Sequence, residues 1–210
     1  MLKVKHMAAY RKRYADFFLS TDARNGRCTL TKFENWVNRM TGPNGIPFKD
    51  EDARNKFKGD ALEVLAEMFF LAFPKDPKVG LSGYTPVALD EDYGVDATGI
   101  NVNGDKVAVQ VKYRSNPGDP ATFPTYAEIA RTFTSGVCQL GVDASKDSVV
   151  FVFTNANQLG SNCGKVLGAK LVSIPRDTLE HFMGNNRSFW RMAAQEVLAY
   201  FQYHMKGKVV

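Results

Sequence analysis

From Lys106 to Tyr113 the chain reads Lys-Val-Ala-Val-Gln-Val-Lys-Tyr. That alternation belongs to a strand. It sends Val107, Val109, Val111 and Tyr113 to one face, an ordinary buried one. Lys106, Ala108, Gln110 and Lys112 fall on the other, where Gln110 and Lys112 stand side by side, roughly 7 Å apart. A second run, Val95–Val102, joins the first through Asn103-Gly104-Asp105, a glycine-containing turn, so the two should form a hairpin. Asp96 stands near the start of that run, just after Gly94. An acid, an amide and an ammonium can thus converge at one end of the hairpin, a grouping suited to chemistry on a charged ligand. Spacing alone leaves the plainer alternative open: solvent-facing polar residues on a half-exposed sheet.

The wider context favours chemistry. Asp92-Tyr93-Gly94-Val95-Asp96 followed by Gln110-Val111-Lys112-Tyr113 resembles the catalytic hairpin of Mrr-type restriction endonucleases. That branch of the PD-(D/E)xK nuclease superfamily carries D-x-G-[IV]-D, then a strand ending in Q-x-K with an aromatic nearby. Upstream, Gly59-Asp60-Ala61-Leu62-Glu63 is similar to the family's G-x-x-x-E on the helix before the sheet. Downstream, Val150-Phe151-Val152-Phe153-Thr154-Asn155 resembles the strand and Thr-Asn that follow the hairpin, and Leu171–Phe182 fits a later strand and helix. The resemblance covers residues 55–190.

The resemblance implies a Mg²⁺-dependent phosphodiester hydrolase acting on DNA in preference to RNA, by endonucleolytic rather than exonucleolytic attack, with Mn²⁺ able to substitute. Mg²⁺ takes hard oxygen ligands in an octahedron and keeps several waters. Asp96 would be the central carboxylate, Gln110 would give an amide oxygen, and the Val111 carbonyl would complete the hairpin's share. Glu63, on the preceding helix, would bind directly or through water, with Glu67, one turn later, as the fallback. Lys112 would contact the attacking water or the phosphate, and Arg114 a backbone phosphate. Most of the superfamily has Glu or Asp at the position of Gln110. An amide there removes one negative charge, so cation affinity should be modest until a substrate phosphate adds its own.

These residues need elements to hold them. A long helix is expected over 50–73, ended by Pro74, with Ala61, Leu65, Met68, Phe69 and Ala72 as its apolar stripe. Strands follow at Leu81–Leu89 and in the hairpin, then a helix over Tyr126–Leu140. Ser148–Thr154 is almost uninterruptedly apolar, as in a strand buried on both faces. A strand at Lys170–Ile174 and helices at Pro175–Phe182 and Phe189–Met205 complete the order. The fold expected is α/β, a restriction-endonuclease-like three-layer domain on a mixed central sheet, over residues 49–210. Residues 1–48 read as a helical N-terminal extension set off by the turn-rich Thr41–Pro47 and dispensable for chemistry.

Composition sets limits. With 44% hydrophobic and 12% aromatic residues the chain can build a real core. Its 27 Lys+Arg against 22 Asp+Glu is a mild excess, compatible with a polyanionic partner but carrying little weight alone. Cys28, Cys138 and Cys163 are scattered and make no zinc spacing with His6, His181 or His204. Such thiols fit a reducing space, and the expected location is cytoplasmic. No apolar run is long enough to span a bilayer, so no membrane partner is expected; a homodimer or other oligomer is left open. Gly160–Val166 departs from a phosphate loop in length and in lacking a final hydroxyl, and reads as a glycine-rich turn. Arg11, Lys12 and Arg13 read as a solvated helix face. The rival to a nuclease is a catalytically inactive nucleic-acid-binding or assembly module on the same fold.

Overall fold

The computed structural model describes residues 16–41, 47–87, 94–119 and 123–205. Tyr10 to Tyr14, most of the turn at 41–47, and Asp92 and Tyr93 of the hairpin motif lie outside the described residues. The chain divides into two compact units, Met1–Met68 with Leu179–Val210, and Phe69–Thr178.

The second unit contains a five-stranded sheet in the order β1 (Ser82–Pro86), β2 (Ala97–Ile100), β3 (Lys106–Lys112), β4 (Val150–Thr154) and β5 (Leu171–Ile174). β1, β2 and β3 run antiparallel, and β3, β4 and β5 parallel, so β3 is the central strand where the direction of pairing changes. The hairpin forms as expected. Its turn is held by Asn101, whose side-chain oxygen accepts from the backbone N–H groups of Asn103 (3.0 Å) and Asp105 (2.9 Å). Gly104 supplies the left-handed residue, φ +85°.

Parallel neighbours need crossovers, and here they are helical. The helix Phe123–Leu140 links β3 to β4, and Ser161–Leu167 with a 3₁₀ turn at Gly168–Lys170 links β4 to β5. Ala108, Val150 and Val152 on one sheet face share a buried cluster with Ile129, Cys163 and Leu167 from these crossovers. The first crossover sits so close over β3 that a Cβ on Gly136 would lie 2.9 Å from the Ala108 Cβ. On the other face Phe153 packs against Phe69 and Phe70, with ring centroids 5.4 and 6.0 Å away. The sheet is mixed and carries helices, an α/β architecture compatible with three layers.

Of the two readings left open for β3, the solvent-facing one fails at its centre: Ala108 and Gln110 are buried, because the crossover helix covers them. One local expectation is corrected here. Gly160–Val166 is not a glycine-rich turn, since Ser161–Leu167 is an α-helix. A helical Gly costs about 1 kcal/mol relative to Ala, and burying Cys163 and Leu167, four residues apart on one face, outweighs it.

The first unit is helical. Among the described residues we number seven helices in chain order: α1 (Thr21–Arg24), α2 (Leu30–Arg39), α3 (Glu51–Ala72), α4 (Phe123–Leu140), α5 (Ser161–Leu167), α6 (Arg176–Met183) and α7 (Arg187–Met205). The side chain of Thr29 accepts from the Lys32 N–H to start α2, and that of Asp50 accepts from the Ala53 N–H to start α3. α3 and α6 each run across the division between units. In the first unit Phe17, Phe18 and Phe33 are buried with Trp190 of α7; the Phe17 and Phe18 rings lie 6.1 and 6.4 Å from the indole. The indole N–H donates to the Met183 carbonyl at 2.7 Å. Residues 17–37, expected within a separate extension, thus share a core with the last helix, and the compact units do not divide at residue 48.

Candidate active site

The site belongs to the second unit and is built where β2 begins and β3 ends. Gly94 opens it in the left-handed region, φ +86°, and a Cβ there would stand 2.7 Å from Arg131 Nε. The backbone angle is what favours glycine, since the exposed Arg131 side chain can swing away. The chain then buries Val95, and the Asp96 N–H donates to the Val109 carbonyl at 2.9 Å, locking the approach to β2 onto β3. This leaves the Asp96 carboxylate beside the last turn of the β3 ladder. Its Oδ2 accepts from the Val111 N–H and from Gln110 Nε2, both at 2.6 Å. In a strand the N–H and C=O of one residue project to the same edge, so the Val111 carbonyl also points to the edge where Asp96 stands.

Gln110 is 4% exposed and Asp96 9%. The amide oxygen of Gln110 accepts from the hydroxyl of Thr132 on α4, a fully buried side chain. That hydroxyl also lies 2.5 Å from the Gly94 carbonyl and 2.9 Å from the Glu128 carbonyl. One turn before Thr132, the Glu128 carboxylate holds Lys112 Nζ at 3.0 Å, both side chains remaining in contact with solvent. α4 therefore engages the two alternate polar residues of β3, Gln110 through Thr132 and Lys112 through Glu128. The result is a polar seam running from a buried carboxylate to a surface ammonium.

β4 fixes the far end of this seam. The Thr154 hydroxyl donates to the Lys112 carbonyl at 2.6 Å. Asn155, fully buried, accepts from the Arg114 N–H (2.6 Å) and donates to the Arg114 carbonyl (2.8 Å). A two-point amide clamp of this kind extends the pairing beyond the last ladder residue and sets the direction in which Lys112 and Arg114 leave the sheet. The Arg114 guanidinium donates to the Tyr113 carbonyl (3.3 Å) and is partly exposed.

Of the residues expected in the site, Asp96, Gln110 and Val111 are brought into direct contact, and Lys112 follows Gln110 on the same side of β3. Glu63 lies on the part of α3 that belongs to the first unit and is partly buried. Glu67 is buried rather than on a solvated helix face, because α3 is enclosed almost all round from Val64 to Phe70. Glu128 and Thr132 were not singled out from the sequence. The available signal was their i,i+4 spacing on the helix that must cross over β3.

No group of three His, Cys, Asp or Glu side chains stands together among the described residues. A cation centre here has to combine the Asp96 carboxylate with the Gln110 amide and the Val111 carbonyl, which are hard oxygen donors of the kind Mg²⁺ takes. The set fits in kind, with one condition: Gln110 presents its NH₂ to Asp96 and its oxygen to Thr132. No described helix is long and apolar enough to cross a membrane. Comparison of the chain with protein families, curated proteins and solved structures finds no match.

Proposed function

We propose that this chain is a Mg²⁺-dependent nuclease that hydrolyses phosphodiester bonds in DNA by internal cleavage. One observation carries the reading: a buried carboxylate, Asp96, is bonded directly to Gln110, with Lys112 next along the same side of the central strand. A mixed sheet with helix–β–β–β–helix–β order supports it, being the order the resemblance to Mrr-type endonucleases implies.

When bound, Mg²⁺ supplies Lewis-acid activation of water and charge at the phosphoryl oxygens. Asp96, the Gln110 amide oxygen and the Val111 carbonyl would hold it. Buried surroundings keep these donors fixed and strengthen their action on charge. Lys112 offsets negative charge building on the phosphoryl group, and Glu128 holds its ammonium in position until substrate arrives. Arg114, directed by Asn155, takes a neighbouring phosphate as a charge-assisted contact.

The test is incubation with single-stranded, duplex and branched DNA in Mg²⁺, Mn²⁺ or EDTA. Cleavage that needs the cation and disappears in Lys112→Ala is expected. A second reading has its own support: the Asp96–Gln110 bond and the Lys112–Glu128 pair satisfy one another without a cation. That self-sufficiency suits a nucleic-acid-binding module that does no chemistry. Cation-independent DNA binding with no cleavage under any condition decides for that module.

A further inference from the structure

Around the Thr132 hydroxyl the count of protons is unfavourable. Three acceptor oxygens surround it, those of Gln110, Gly94 and Glu128, and a hydroxyl has one proton to give. Two of the three contacts are therefore oxygen against oxygen in a fully buried setting. Rotating the Gln110 amide by half a turn changes this. Its NH₂ then donates to the Thr132 oxygen, and the hydroxyl proton passes to one of the two carbonyls. The same rotation brings the amide oxygen to Asp96 Oδ2, where the NH₂ now stands at 2.6 Å. Two acceptors at that separation repel unless positive charge lies beside both.

From this we infer that Gln110 is a cation-driven rotor: its amide turns over when a divalent ion enters beside Asp96, and Thr132 is the positioning residue that favours the turned form. The inference rests on the cation-site reading above. It explains why an amide can serve where a carboxylate is usual. Without the ion the NH₂ satisfies Asp96, and with it the oxygen becomes a ligand while the NH₂ keeps a buried partner. Thr132 suits either state because a hydroxyl both donates and accepts. It is not a catalytic residue, since it reaches the ion only through Gln110.

The experiment uses the full ¹⁵N-labelled chain titrated with Mg²⁺ alone, without DNA. The probes are the Val111 amide and the Gln110 side-chain NH₂, the latter assigned by its loss in Gln110→Leu. Both should shift with one midpoint, and the NH₂ should exchange its proximity to the Val111 N–H for proximity to the Thr132 side chain. Thr132→Val should weaken Mg²⁺ binding about fivefold, the worth of one net hydrogen bond, whereas Thr132→Ser, keeping the hydroxyl, should bind like wild type. A Val111 shift with an unmoved Gln110 NH₂ overturns the rotor and leaves the cation site standing. If neither signal moves through the titration, the cation site itself fails and the rotor with it. Should Thr132→Val not fold, the wild-type titration decides alone.

Discussion

Replacing Asp96 should damage both chemistry and fold, by amounts that the geometry separates. Asp96 Oδ2 accepts two hydrogen bonds, from the Val111 N–H and Gln110 Nε2, and all three groups are buried. Asp96→Ala removes the acceptor and strands two buried donors, at about 1–3 kcal/mol each. Relief of the carboxylate's own burial offsets part of that, leaving a net loss of about 2–4 kcal/mol. For a chain of this size the melting temperature should fall by roughly 2–4 °C per kcal/mol. Asp96→Asn keeps an oxygen in place of Oδ2 and loses only the charge assistance of the two bonds, about 1 kcal/mol. The assays are thermal unfolding, hydrogen exchange at the Val111 amide, and cleavage on the same preparations. Alanine should lower the melting temperature well below asparagine, with faster Val111 exchange, while neither variant cuts DNA. Equal stability of the two variants with unchanged Val111 protection would refute the hydrogen-bond argument. Wild-type cleavage by Asp96→Asn would remove Asp96 from the chemistry.

Lys112→Ala should lose cleavage by orders of magnitude while Glu128→Gln changes thermal stability little, since a half-exposed ion pair contributes under about 1 kcal/mol; a large destabilisation in Glu128→Gln would show the pair to be structural. Asn155→Ala strands the Arg114 backbone groups and should weaken DNA binding and raise exchange at the Arg114 amide; unaltered exchange would mean that the clamp does not hold the strand end. Deleting residues 1–47 strips Phe17 and Phe18 from Trp190 and should unfold the α7 core, which Trp190→Ala alone should weaken by about 3–5 kcal/mol; buried-type emission from Trp190, the tryptophan left after Trp36 is deleted, argues against this. At pH 8 a disulfide reagent should modify exposed Cys138 quickly and the two buried thiols only on unfolding, because burial pushes Cys28 up to about 11 and also raises Cys163; rapid reaction of all three thiols in the native protein contradicts that burial.

Local chemistry was enough to read much of the second unit. Alternation set the strands of the hairpin, Asn103-Gly104-Asp105 its turn, and an uninterrupted apolar run the fully buried β4. Helix α3 ends one residue from its expected limit because Pro74 prevents continuation. Gln110 and Lys112 were legible as a pair, since a period of two places alternate residues on one side whatever packs above them, and the short hairpin turn brought Asp96 of the adjoining run to them. What packs above them was not legible. Alternation says which residues share a face, but not whether water or a helix covers it, and α4 makes the supposed open face of β3 a buried seam. Glu128 and Thr132 escaped notice for the same reason: an acid and a hydroxyl on an amphipathic helix look like surface until the crossover lays them on β3. The N-terminal residues looked detachable because a turn-rich segment follows them, yet Phe17 and Phe18 find their partner 172 or more positions away, in Trp190. Local sequence specifies torsions and faces; only the closed chain decides which faces meet, because that pairing is set by burial between residues far apart in sequence.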